Sequence, residues 1–294
     1  MSLNTEEYTS VIRDAEAVRN LQHGICDLHV HLEPDVRTRS ENALDYVRTC
    51  AKAGMKAAIL KCHEFSTVDL AWLLRQIEPS FEIFGSVCMN WTHGPRVNPA
   101  TVRAALDCSG HYLRCVWLPT KAAKFQSPER GIPVLDEEGK VLPEVVEVME
   151  LCAEADIMLA SGHCSADECL VLARKAREVG VKKFVVTHAD TAMWTQTHDQ
   201  VKRCLDEDAW IEYAYGWHVL KSGLTTNVPC EALADYIRLA PEKSFVVSDM
   251  GMVELPNPVN GMQQCALELL RCGLSQKEIS LVLKENPAHL VHLA

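Results

Sequence analysis

The stretch Asp27-Leu28-His29-Val30-His31 closes a short β-rich run over residues 24–30, and its reading decides the fold. Strand alternation puts His29 and His31 on one face, close enough to share a metal. Outward from this stretch one rhythm recurs: an apolar β-rich run, a polar loop, then an amphipathic helical stretch. Further runs fall at 56–62, 81–89, 111–118, 157–160, 183–187, 209–214 and 244–248. Helices are expected over 40–53 with Gly54 behind it, over 67–78 with Thr67 as cap, and over 143–155. Another opens at Asn98-Pro99, where proline suits the first helical position. Ser165 with Glu168, and Ser275 with Glu278, read as capping boxes, and Pro287 opens the last helix.

Eight β-then-α units over about 270 residues match the size of an α/β (β/α)8 TIM barrel forming a single domain. A doubly wound open sheet is the alternative, but no glycine-rich phosphate fingerprint follows the first run. Residues 1–23 are expected as an N-terminal helical extension and 24–294 as the barrel. The longest irregular stretch, 119–142, reads as a lid-like insertion carrying a small hairpin around Glu138-Gly139.

Composition bounds the function. With 48% hydrophobic and 23% charged residues in 294, the chain has the material for a substantial core and is not disordered. A net charge of −11 argues against nucleic acid as partner. No apolar run is long enough to span a membrane. Residues 1–13 lack the basic and apolar blocks of a signal peptide, and a cytoplasmic location is expected. The 13 cysteines are odd in number, include no Cys-x-x-Cys and fall mostly in apolar runs, so they read as reduced thiols.

In such a barrel the chemistry lies at the C-terminal strand ends. There the sequence places His29 and His31 on the first run, Lys61 and His63 on the second and His163 on the fifth. His188 and Asp190 end the sixth, and Asp249 ends the eighth. A lone histidine after an apolar run is more often hydrogen-bonded or exposed than a ligand. Their joint occurrence at the ends of runs one, five and six, with an aspartate at eight, is the strong signal.

These residues resemble the amidohydrolase superfamily of metal-dependent hydrolase barrels. Its pattern is His-x-His on strand one, a carboxylate-type bridge on strand four, histidines on strands five and six, and aspartate on strand eight. The closing Asn286-Pro287-Ala288-His289-Leu290 is similar to the turn that often begins that family's last helix. More narrowly, residues 90–98 and Val116-Trp117-Leu118-Pro119-Thr120 resemble an uncharacterised branch known only as a domain of unknown function. The resemblance implies metal ligands His29, His31, His163, His188 and Asp249, with Asp249 and His188 as catalytic residues. It departs at strand four, which offers no glutamate. Lys121 lies three residues past that run, and Lys61, in step with His63, is the substitute; either is a metal bridge or a substrate-binding ammonium, and His63 is a candidate for the same bridging or substrate-binding place. One ion held by His29, His31, His163 and Asp249, and two ions with His188, both stay open.

Neutral imidazoles and a carboxylate suit divalent zinc, and also manganese, iron or cobalt. Such an ion lowers the pKa of bound water from 15.7 to roughly 7. Asp249 would take a proton from that water and pass it to the leaving group. The expected activity is hydrolysis of a carbon–nitrogen, ester or lactone bond in a small substrate. The alternatives are a single-metal non-oxidative decarboxylase, a phosphoesterase and a ligand-binding barrel without turnover. Arg37, Arg39, Lys121 and Lys124 form either a rim for an anionic substrate or solvated loop charges. Trp91, His93, Tyr215, Trp217 and His218 either wall a pocket or pack loops, and Arg37, Trp91 and His218 are the substrate-binding candidates. The apolar helix faces leave room for a homo-oligomer.

Overall fold

Eight short strands lie side by side in chain order, each parallel to the next. They are β1 (Cys26–Val30), β2 (Ala57–Leu60), β3 (Glu82–Cys88), β4 (Leu113–Trp117), β5 (Met158–Ala160), β6 (Phe184–Val186), β7 (Trp210–Ala214) and β8 (Ser244–Val247). This computed structural model describes residues 15–191, 196–219 and 229–293. The last strand returns to the first: Asp249 N–H donates to the His29 carbonyl at 2.9 Å, and His31 N–H to that of Met250 at 2.9 Å. Ser248 N–H donates to Asp27 Oδ1 at 2.9 Å across the same seam. The result is a (β/α)8 barrel, one domain in the sense the sequence predicts.

Strands this short and buried on both faces read as unbroken apolar runs, because helices cover the outside and side chains fill the inside. The inner cluster includes Cys26, Leu28, Ile59, Phe84, Trp117, Met158 and Phe245. Val30, Leu60, Val116, Leu159 and Val246 face the outer layer, against the helices. Among the described residues the barrel is thus filled below, and its cavity opens at the C-terminal end.

The expected caps fall into two kinds. Asn98 accepts from Ala100 N–H, and both serine–glutamate capping boxes form around Ser165 and Ser275. The helix expected from residue 40 begins at Ala43, where Asn42, which the sequence reading did not single out, accepts from Asp45 N–H. Thr67 differs. Its hydroxyl donates to the Leu60 carbonyl at 2.7 Å and accepts from Ser86 N–H at 2.9 Å, tying β2 to β3. The helix Val68–Ile77 therefore starts without a side-chain cap. Within the insertion, Leu135 bridges Val141 in antiparallel fashion, the small hairpin expected there.

Of the expected N-terminal extension, residues 1–14 lie outside the described residues. The remainder contains the helix Ala15–Gln22, onto which Lys284 docks through the Asn20 carbonyl at 2.6 Å. All 13 cysteines are free. Among the described residues no helix is long and apolar enough to cross a membrane.

Candidate active site

Strict alternation along β1 would not bring both histidines inward, since Leu28 already faces the inner cluster. The pairing of β1 with β2 shifts register between Asp27 and Val30. An irregularity of this kind re-aims side chains, and here it turns His29 inward to meet Trp117, with ring centroids 5.3 Å apart. Val30 then faces out, and His31 lines the cavity at the barrel mouth.

Five imidazoles from four strand ends form a ring there. Their centroids lie 5.3 Å apart for His29–His31, 4.8 Å for His31–His63 and 6.0 Å for His63–His163. His163–His188 at 5.4 Å and His188–His29 at 5.2 Å complete it. Asp249 enters from beyond β8: its Oδ1 lies 2.9 Å from His29 Nε2 and 3.2 Å from His31 Nε2. Its Oδ2 accepts from Trp217 Nε1–H at 2.6 Å and stands 3.8 Å from His188 Nε2.

Two backbone positions hold this arrangement under strain. His188 and Asp249 both have positive φ, 57° and 47°, a conformation costing about 1 kcal/mol each. Behind Asp249, Gly251 (φ 125°) runs so close to β1 that a Cβ there would fall on the His31 carbonyl oxygen.

Ligand atoms of His29, His31 and Asp249 all lie within 4.8 Å of one another, as do those of His29, His188 and Glu212. His163 lines the cavity but belongs to neither group. Protonation states favour a cation. Burial pushes His31 down to about 3, and holds His63, His163 and His188 well below the ordinary imidazole range. For Asp249 burial acts upward, but the His29 and His188 imidazoles and the hydrogen bonds from His29 and His31 hold it well below the usual carboxylate range. For His29 burial acts downward, and the carboxylates of Asp249 and Glu212 outweigh it, so its pKa is raised. His31, His163 and His188 are thus neutral beside an ionised carboxylate, and once His29 gives up its proton the set is the one a divalent ion requires, so the residues fit one.

Lys61 is buried, its Nζ 2.8 Å from His29 Nε2 and 4.7 Å from the Trp117 ring centroid. The inner end of β4 is filled by Trp117 itself, which explains the missing glutamate. Lys121 stands further out, half-buried, 3.4 Å from Glu64. His63 is oriented by Thr120, whose Oγ1 lies 2.8 Å from His63 Nδ1; Asn90 steadies that threonine through its backbone N–H and hydroxyl.

The cavity above the ring measures about 420 Å³, and Arg37, Arg39, Lys121, Met252 and Val253 share its wall with the histidines. Arg39 is held by Asp35 at 2.8 and 2.6 Å, whereas no carboxylate among the described residues pairs with Arg37. Trp91 is not brought into this wall. Its indole donates to the Arg130 carbonyl at 3.2 Å and lies under the Arg130 guanidinium. His218 stands in the adjoining cavity, 2.6 Å from Asp190 Oδ2.

Trp217, expected either to wall a pocket or to pack a loop, lines the cavity and bonds Asp249. Two contributors escape sequence reasoning. Gln126, in the insertion, reaches His163 Nδ1 at 2.6 Å, and nothing periodic marks it. Glu212, buried on β7, lies 3.0 Å from His29 Nδ1; its signal was a lone charge inside an apolar run.

A plugged (β/α)8 barrel with a histidine–aspartate cluster at its mouth has the fold of known hydrolases. An amidohydrolase from Pseudomonas aeruginosa superposes with TM-score 0.63 at 11% identity, covering 94% of this chain and 98% of its own. The probable dipeptidase PvdM from the same organism gives 0.62 at 10% identity, with 96% and 98% covered. An organophosphorus hydrolase from Deinococcus radiodurans gives 0.59 at 11%, with 93% of each chain covered. At such identities the likeness is one of fold. No curated protein matches the sequence. Residues 24–212 match a family of unknown function, DUF6282, and the chain belongs to that family.

Proposed function

We propose that the protein is a metal-dependent hydrolase of a small, anionic substrate. The observation that carries this is the convergence of His29 Nε2, His31 Nε2 and Asp249 Oδ1 on one point at the cavity floor. These three residues would hold a divalent ion, zinc by preference, with His163 and His188 beside them. The ion supplies Lewis acidity, which makes water a competent nucleophile near neutral pH.

The chain does the rest. Asp249 Oδ2 receives the proton released on attack, and Trp217 fixes that oxygen toward the cavity. His188 Nε2, 3.8 Å away, is placed to carry the proton to the leaving group. Lys61 holds positive charge where negative charge develops on the substrate oxygen. Arg37 and Lys121 line the wall above and bind a carboxylate or phosphate on the substrate. Met252 and Val253 supply an apolar flank to the cavity.

The test is a panel of amides, esters and lactones, each with and without a carboxylate, assayed in 18O-water with zinc-loaded protein. Label in the product, and a preference for charged members that Arg37→Ala abolishes, are expected. Turnover of none of them by protein shown to hold zinc would refute the reading. One observation favours a second reading: Trp117 occupies the inner end of β4, which supports a single ion and with it a non-oxidative decarboxylase. Carbon dioxide release from a carboxylated substrate without label uptake would select that reading.

A further inference from the structure

Glu212 stands at the inward-facing middle of β7 with no exposed surface, and the reaction outlined above makes no use of it. Its Oε1 lies 3.0 Å from His29 Nδ1, while Oε2 is buried with no hydrogen-bond partner among the described residues. A carboxylate in that position is costly unless positive charge faces it. The charges that do face it lie across a single ring: Lys61 Nζ and Asp249 Oδ1 meet the opposite nitrogen of the same imidazole, at 2.8 and 2.9 Å. Asp249, being negative, offers no compensation, so the balance falls to the His29 ring itself while protonated, and otherwise to Lys61 and to the cation that His29 Nε2 helps to hold.

A purely structural carboxylate would be expected to satisfy both oxygens on backbone N–H groups, as buried polar groups do. Glu212 instead puts one oxygen on a histidine side chain, and its other oxygen has no partner among the described residues. An imidazole that donates through Nδ1 carries its lone pair on Nε2, the nitrogen aimed at the donor cluster. We propose that Glu212 is the positioning residue of the metal centre. It accepts the Nδ1–H of His29, fixes the tautomer that presents Nε2 to the ion, and adds negative charge behind the ring. This rests on the metal-centre reading above. Because Glu212 also groups with His29 and His188, direct ligation is the competing role.

Zinc affinity, measured by competition with a chromophoric chelator, separates these. Wild type, Glu212→Gln and Glu212→Ala are compared, with bound zinc counted in each. Glu212→Ala should bind zinc 10- to 100-fold more weakly with an unchanged ion count, and Glu212→Gln, which keeps an acceptor oxygen, should recover part of the loss. Proton NMR of the zinc-loaded protein should show a downfield ring N–H resonance that is lost in the alanine variant and shifted in the glutamine variant. Wild-type affinity in both variants, with that resonance unmoved, overturns the proposal. So does an ion count lower by one in Glu212→Gln, which would make Glu212 a ligand. If the alanine variant does not fold, the isosteric glutamine variant decides alone. Failure of the wild type to take up zinc at all would instead overturn the metal-centre reading beneath it.

Discussion

The indole of Trp217 donates to Oδ2 of Asp249 at 2.6 Å, while Oδ1 of the same carboxylate faces His29 and His31. One carboxylate is thereby divided between two tasks, with one oxygen turned to the donor cluster and the other held by an N–H from the helical turn Gly216–Val219 that follows β7. Replacing Trp217 with Phe keeps the ring and removes the N–H. A hydrogen bond to a charged group contributes roughly 1.5–3 kcal/mol, so kcat should fall about 10- to 100-fold with bound zinc unchanged. Asp249→Asn should cost roughly 10²- to 10⁴-fold in kcat, the usual range for a lost acid–base group. Steady-state kinetics on the best substrate of the panel checks both.

Metal uptake should depend on pH through one imidazole. His29 is raised above the ordinary range, whereas His31, His163 and His188 are lowered and already neutral near pH 7. Below the His29 pKa an incoming ion must displace its proton, so affinity rises with pH and levels off above that pKa. Calorimetry in buffers of different ionisation enthalpy should find about one proton released per ion on the rising limb. Release of two or more, or of none at any pH, would contradict the assignment.

Gly251→Ala should unfold the seam between β8 and β1. The added methyl meets the His31 carbonyl oxygen, and φ of 125° is hostile to any side chain. A loss of at least ~2 kcal/mol is expected, read from the urea midpoint of the soluble variant.

The thiols give an independent check on packing. Burial pushes Cys26, Cys88 and Cys169 up to about 12, and only Cys108 and Cys230 are partly exposed. The hydrogen bond with Cys272, and burial, hold the Cys230 thiol well above the ordinary range, so at pH 8 a thiol reagent should modify Cys108 first, Cys230 slowly, and all 13 only in denaturant.

The barrel was readable because each strand is an apolar run with its own helix, and local periodicity carries that information. The histidine cluster was readable for the same reason: residues at strand ends sit at fixed places in the repeat. Other features depend on how distant segments meet. Glu212 is one charge among five strand residues until β7 is seen to face β1. Gln126 belongs to a loop with no period. Trp91 was expected at the cavity because it follows β3, but the turn Trp91–His93 directs its indole to Arg130 instead. The shift within β1 is likewise a property of the β1–β2 pair, invisible in either strand alone.

Trp117, together with the inner cluster below it, seals the barrel beneath His29. Under the hydrolase reading, substrate would enter and product leave through the same mouth, so product added at the start should compete directly with substrate for the pocket.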